Sequence, residues 1–469
     1  MKKFAKVLAL CLALVMVIGC FAACGKDKDA GKNDETPEIL GMSDSPLDAP
    51  EVKKDFEIKE GFKIGFICLH DENSTYDKNF LDGANAVIEA LGLTKDQYII
   101  KKNIPEGNEC YEAAKDLVDQ GCTIIFANSF GHEDFMIKAA KEFTDVEFCH
   151  ATGCKAATEN LPNYHNAFAS IYEGRYLAGI AAGMKLNEMI EAGDITAEEA
   201  KMGYVGAFTY AEVISGYTSF YLGAKSVCPS VTMDVQFTGS WYDPTLEKNA
   251  AEALIAKDCV LISQHADSMG APGACEAAGI PNVSYNGSTY EACPSTFIVS
   301  SRINWAPYFN YIIKCVNTDE AIATDWCGGI AEGSVVLTGI NQDVAAEGTV
   351  DAIAKAVAEL KAGTLKVFNT ANFTVDGKVL EDDLVVVRVV LNQKGQKNIV
   401  VGGGRLEVLP QRLGMGGEKR LDGIAVAVAL VLEQIAKLLF ALACEELLNV
   451  RVRQQMLFSR ADGADGIFV

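Results

Sequence analysis

The chain has 469 residues, enough for two domains and a large buried core, and its 49% hydrophobic content excludes wholesale disorder. With 41 Lys and Arg against 63 Asp and Glu, the net charge of −22 argues against nucleic acid as a partner and says little against a small neutral ligand. The chain opens with Lys2, Lys3 and Lys6, followed by an apolar run over residues 7–18 that is too short to span a bilayer comfortably. Small residues then lead to Cys24. A signal ending on cysteine predicts a bacterial lipoprotein, with a signal peptide over residues 1–24, acylation at Cys24 and a lipid-anchored protein on the extracytoplasmic face of the cell membrane. Cys20, after Val17, Ile18 and Gly19, is the alternative acylation site. Residues 25–58 are rich in Asp, Lys, Glu, Pro and Ser without a hydrophobic period, which predicts a flexible linker.

From Phe62 onward, short apolar runs alternate with amphipathic stretches. Strands are predicted at 63–69, 98–102, 123–127, 147–151, 167–171, 203–207, 231–238, 259–263, 282–285 and 296–300. Helices are predicted between them, among others at 77–91, 110–120, 134–143, 172–189, 211–227, 244–256 and 272–278. Such alternation predicts an α/β fold with parallel sheets covered on both faces. The strands run out into HDENSTYD, SFGHED, HATG, TYAE, SWYD, QHADS and NGST. Ligands of open parallel sheets bind beyond those strand ends, so two consecutive sets of them predict two lobes facing one cleft.

The fifteen cysteines do not read as a disulfide framework. Cys68, Cys122, Cys149 and Cys259 sit in or beside apolar strand-like runs, where cysteine behaves as a small hydrophobe, so mostly free thiols are expected. There is no G-x-S-x-G elbow, P-loop or His-Glu-x-x-His among the motifs. Cys149, His150 and Cys154 lack a second ligand pair at zinc-like spacing. No cofactor, metal or catalytic residue is expected.

The blocks KIGFICLHDENSTYDKNFLDGA, IIFANSFGHEDFMIKAAKEF through EFCHATG, HNAFASIYEGRYLAGIAAGMK, KMGYVGAFTYAEVISGYTSFYLGAKSV, GSWYDPTLEKNAAEALIAKDCVLISQHADS and VSSRINWAPYF resemble, in order, the basic membrane protein family. These are substrate-binding lipoproteins of ABC importers whose characterised members bind purine nucleosides. The resemblance covers roughly residues 60–380. It implies a type I periplasmic-binding-protein fold, with two Rossmann-like lobes joined by hinge crossovers near 167–171, 296–301 and 335–339. Lobe one would comprise 59–168 plus 298–326, and lobe two 169–297 plus 327–381. It further implies ABC permease and ATPase subunits as partners, and a monomer is expected.

A purine nucleoside needs aromatic rings against its base, polar groups along the base edge and a carboxylate for the diol. The resemblance gives Tyr76 the stacking role and Asp77 the base edge. Phe130 and His132, with Glu133 or Asp134 behind them, would contribute from the next loop of lobe one. Lobe two would contribute Tyr210, Trp241 with Asp243, Asp267 and Asn286. Asn286 stands where nucleoside-binding members carry a carboxylate, and the crossover block around 302–305 lacks their lysine. Asp77 and Asp243 also read as helix caps, and Trp305 reads as core or hinge packing. A nucleoside hydrolase and a ligand-sensing module for a membrane receptor are the rival readings. After about residue 382 the resemblance stops, and residues 382–469 read as a tail of different character, either an appended helix over 424–448 or the product of a shifted reading frame.

Overall fold

The computed structural model describes residues 41–369 together with the strands Val386–Leu391 and Lys397–Gly402, which pair as an antiparallel hairpin. The signal, Cys20, Cys24 and nearly all of the tail, including residues 424–448, lie outside the described residues. Two six-stranded sheets form the body.

The first sheet contains β1 (Ile64–Ile67), β2 (Tyr98–Lys101), β3 (Ile124–Ala127), β4 (Glu147–Ala151) and β5 (Tyr164–Ala169). The second contains β6 (Lys201–Gly206), β7 (Thr232–Phe237), β8 (Leu261–His265), β9 (Asn282–Tyr285) and β10 (Phe297–Ile303). Two short strands, β11 (Asp325–Gly328) and β12 (Val335–Leu337), complete the edges. The spatial orders are β2-β1-β3-β4-β5-β11 and β7-β6-β8-β9-β10-β12, so the second lobe repeats the first strand for strand. Within these two sheets all pairings are parallel except β10 with β12, where Arg302 lies opposite Val336. Every residue of β1 and β3 is buried, as expected of strands covered by helices on both faces. In each sheet the order reverses after the first strand, between β1 and β3 and between β6 and β8. Those switch points open the crevice in which such folds take ligands.

Among the described residues the chain passes between lobes three times, at Ser170, at Asn304 and Trp305, and between β11 and β12. Two boundaries expected from the sequence shift accordingly. Residues 298–303 pair within the second sheet instead of joining lobe one, and Cys327 and Gly328 remain on β5 of the first sheet. Strand β5 also starts three residues before its expected position. Its polar residues are buried by hydrogen bonding, His165 to Glu147 at 2.8 Å and Asn163, just before it, to three carbonyls, so the strand carries no apolar signature.

The expectation of a solvated linker up to residue 58 is corrected for residues 41–58, which lie along the fold. Ser43 N donates to Ile340 O at 2.9 Å and Leu337 N to Leu47 O at 3.1 Å, beside β12. Further on, Asp55 pairs with Lys314 at 2.7 Å and Lys59 N donates to Asn317 Oδ1 at 2.7 Å, on a helix of lobe one. Leu47 and Phe56 are buried, two apolar anchors among charged residues too sparse to show a period.

The long helices Ile171–Ala192 and Ala211–Val227 pack closely through glycine. A Cβ on Gly223 would lie 2.0 Å from Tyr176 O, and one on Gly179 would lie 2.1 Å from Phe220 O. Because both obstacles are backbone atoms, Gly223→Ala is expected to destabilise the protein by about 2–3 kcal/mol. Urea unfolding measures this, and a cost below about 0.5 kcal/mol would show that the helices can part without penalty. Nine cysteines, Cys68, Cys110, Cys122, Cys149, Cys228, Cys259, Cys275, Cys293 and Cys315, are buried thiols used as small apolar side chains.

Candidate functional site

The strand ends of the two lobes meet. Thr75 N donates to Asp267 O at 3.1 Å and Asn79 Nδ2 to Asn286 Oδ1 at 2.9 Å, each bond joining lobe one to lobe two. The rings of Phe130 and Tyr210 lie 5.4 Å apart across the same gap, and those of His70 and Tyr242 5.3 Å apart.

On the lobe-one side, the loop after β1 enters the helix Thr75–Leu91. Ser74 caps that helix by accepting from Asp77 N at 3.2 Å, so the carboxylate of Asp77 is released from the capping role that its position also suggested. Asp77 is buried, and its Oδ1 accepts from His70 N at 3.0 Å and Asn128 Nδ2 at 2.6 Å. Its Oδ2 is buried and has no hydrogen-bond partner. Tyr76 is half-buried, its hydroxyl donating to Asn128 O at 2.6 Å and its ring set edge-on to Phe80 at 4.9 Å.

From lobe two, Asp267 follows β8 and Asn286 follows β9. Asn286 takes a left-handed φ of 63°, a conformation that asparagine tolerates better than most residues. Its Oδ1 is held by Asn79, and its buried Nδ2 is near the Asp267 carboxyl but makes no hydrogen bond within 3.5 Å. The Asp267 carboxyl is held well above the usual carboxylate range, first by burial and then by Glu247, Asp77 and Glu212 nearby, with Asn286 opposing. The His265 ring is tilted against Tyr285 at 4.4 Å, and its Nε2 lies 3.7 Å from Glu212, while the Tyr285 hydroxyl is another buried group without a partner. Phe208, Tyr210 and Trp241 form an aromatic cluster at the rim, with Phe208 and Trp241 centroids 4.9 Å apart.

Tyr76, Asp77, Phe130, Tyr210, Trp241, Asp267 and Asn286 are thus brought to one gap, whereas other expected contributors are placed elsewhere. Asp134 is exposed on the surface of its helix and paired with Lys155. His132 is buried inside lobe one, Nε2 against Ile104 O at 2.9 Å, and burial pushes it down to about 4, so it stays neutral. Glu133 accepts from Lys155 N at 2.8 Å, Tyr164 and Asn166, and so ties lobe one together. Asp243 is a helix cap, its Oδ1 accepting from Thr245 N and Leu246 N at 2.9 Å. Trp305 is buried and stacked on Phe80 at 4.5 Å, in the packing role expected of it. The residues that sequence reasoning passed over are Asn79, Glu212, Glu247, His265 and Tyr285. His265 and Tyr285 end strands β8 and β9, and Glu212 lies in the first turn of the helix after β6, the signal that could have drawn attention to them.

Glu247 is fully buried and accepts from Asp243 N and Ser268 N. Burial raises its carboxyl from 4.5 to about 7 against those hydrogen bonds. A carboxyl raised in the folded state holds its proton where the unfolded chain has lost it, so stability is greatest below the unfolded value and falls as pH rises to about 7. Asp267 acts with the same sign. Glu247→Gln is therefore expected to gain stability relative to the parent between pH 5 and pH 8, by about 3 kcal/mol in full. Calorimetric melting of both proteins across that range checks this, and a constant difference would contradict it.

Two topologically matched α/β lobes, crossed by three connections and closing carboxylate, amide and aromatic side chains between their strand ends, define a solute-binding protein of the type I periplasmic kind. Residues 66–368 match the Bmp family, described as ABC transporter substrate-binding protein, PnrA-like, and the chain belongs to that family. It is a family of substrate-binding proteins of ABC importers and not of enzymes, so the hydrolase reading falls. The chain is 33% identical over 282 residues to a purine-binding protein of Brucella abortus, covering 60% of this chain and 75% of that one. It is 32% identical to TsgA13 of Haloferax volcanii, assigned as an ABC transporter glucose-binding protein, over 46% of this chain and 51% of that one. In fold it is similar to an ABC transporter solute-binding protein of Conexibacter woesei, with TM-score 0.53 and 18% identity, covering 65% of this chain and 98% of the other.

Proposed function

We propose that this protein is an extracytoplasmic lipoprotein, anchored through Cys24, that captures a purine nucleoside between its lobes and delivers it unaltered to the permease and ATPase subunits of an importer. The observation that carries the reading is the set of buried polar atoms without partners on both sides of one gap, Asp77 Oδ2 from lobe one and Asn286 Nδ2 and Tyr285 Oη from lobe two. Buried hydrogen-bonding groups left unmatched are costly, and a ligand bearing both donors and acceptors offsets that cost. Asp77 Oδ2 suits a base N–H and Asn286 Nδ2 an acceptor on the same ligand. Asp267 supplies the carboxylate for vicinal hydroxyls, the role that Asn286 cannot fill. Tyr76, Phe130, Tyr210 and Trp241 offer flat apolar faces that suit a purine and that a hexose uses less fully.

The acidic surroundings of Asp267 disfavour a phosphate, so nucleosides are expected to bind and nucleotides to be rejected. Ligand contacts both lobes only when they are together, so binding draws an open and closed equilibrium toward closed, and the permease recognises the closed form. The test is mass spectrometry of the small molecule released by denaturing the purified soluble form. A nucleoside supports the reading, whereas glucose or another hexose would move the ligand class to that assigned to TsgA13.

A further inference from the structure

Arg175 is wholly buried and forms no ion pair with any described carboxylate. It lies in the first turns of the helix that follows the hinge crossing at Ser170. Gly174 allows that turn to press on the second sheet, since a Cβ there would stand 2.8 Å from Val335 Cγ1 and 3.1 Å from Ser301 Cβ. The guanidinium reaches three adjacent strands, with Nη2 donating to Ser263 Oγ on β8 at 2.7 Å, and Nη1 to Ser284 O on β9 at 3.2 Å and to Ser301 Oγ on β10 at 3.4 Å. Phe220, Tyr204 and Tyr285 surround it, with ring centroids 5.1, 5.2 and 5.3 Å from Cζ.

A buried cation without a counter-ion is an expensive way to fill space, and an apolar side chain would pack there at lower cost. Its position gives it a use. Asp267 follows Ser263 by four residues and Asn286 follows Ser284 by two. Tyr285 packs against Arg175 and also feels the acids of the cleft. Burial chiefly raises its hydroxyl, Glu212 and Asp267 raise it further, and Arg175 alone among the charged groups opposes them.

We infer that Arg175 is a positioning residue of the ligand site. Its guanidinium binds β8, β9 and β10 to the hinge helix, so that Asp267 and Asn286 are held in register for the ligand, and it sets a positive charge beneath an otherwise acidic cleft. This rests on the proposed nucleoside reading for the ligand, though not for the positioning itself.

The test uses full-length Arg175→Lys and Ser263→Ala, the second leaving the charge in place and removing its shortest bond. Amide exchange at Asp267 and Asn286 in ligand-free protein is expected to quicken about tenfold or more in both variants while exchange in the first sheet is unchanged. Calorimetry with inosine and 2′-deoxyinosine is expected to show about tenfold weaker inosine binding and a smaller preference for the ribose over the deoxyribose form. A merely structural role would lower thermal stability without altering that preference. Quickened exchange in a protein whose parent binds no nucleoside would sustain the positioning role and overturn the ligand reading. Parent-like exchange at both amides in either folded variant would overturn the inference.

Discussion

Asp267→Asn is expected to weaken inosine binding by about 100-fold or more, close to 3 kcal/mol, because hydrogen bonds to a buried carboxylate are among the strongest a neutral ligand can form. The same change is expected to raise the melting temperature of the empty protein at pH 8. Asp267 is buried beside Glu247, Asp77 and Glu212, and the ionised carboxylate is the unfavourable partner in that group. The contacts from Thr75 go to the backbone oxygen of residue 267 and survive the change, so lobe contact is retained. Opposite signs for affinity and stability are the mark of a group kept for binding. Isothermal calorimetry and thermal melting measure the two, and affinity within twofold of the parent would remove Asp267 from the site.

Trp305→Ala is expected to cost about 4 kcal/mol of stability. The indole is fully buried where the chain leaves β10 for lobe one, stacked on Phe80 at an interplanar angle of 18° and flanked by Phe126 and Tyr308. Gly83 presses on it from the first helix, a Cβ there standing 3.1 Å from Trp305 Cβ, so the neighbouring backbone has little freedom to fill the cavity. Urea unfolding of parent and variant gives the difference, and a cost below about 1 kcal/mol would mean that the crossover repacks freely.

The α/β class and doubled architecture were legible because buried parallel strands such as β1 and β3 are continuous apolar runs, and because their polar ends recur at each strand-to-helix turn. The edges were harder to see. β11 and β12 have four and three residues, too few for a period, and β5 conceals its burial behind Tyr164, His165 and Asn166. Asp77, Asp267 and Asn286, the residues proposed for the site, follow strands β1, β8 and β9, and that position drew attention to them. Asp134 and Asp243 share that position but are used in a surface ion pair and a helix cap, and which carboxylate turns inward depends on partners distant in sequence. Asn128 takes one oxygen of Asp77 from 51 residues away, and Asn79 holds Asn286 from 207 residues away, links that no local pattern encodes. Arg175 gave no signal, since a lone arginine in a helical stretch reads as a solvated residue until the fold buries it.

The most direct trial of the account is to titrate the purified protein with inosine in a calorimeter and then recover the bound compound by chromatography. Saturable binding at one site with the nucleoside returned intact is the predicted result. Absence of heat with every purine nucleoside, or release of free base and ribose, would contradict it.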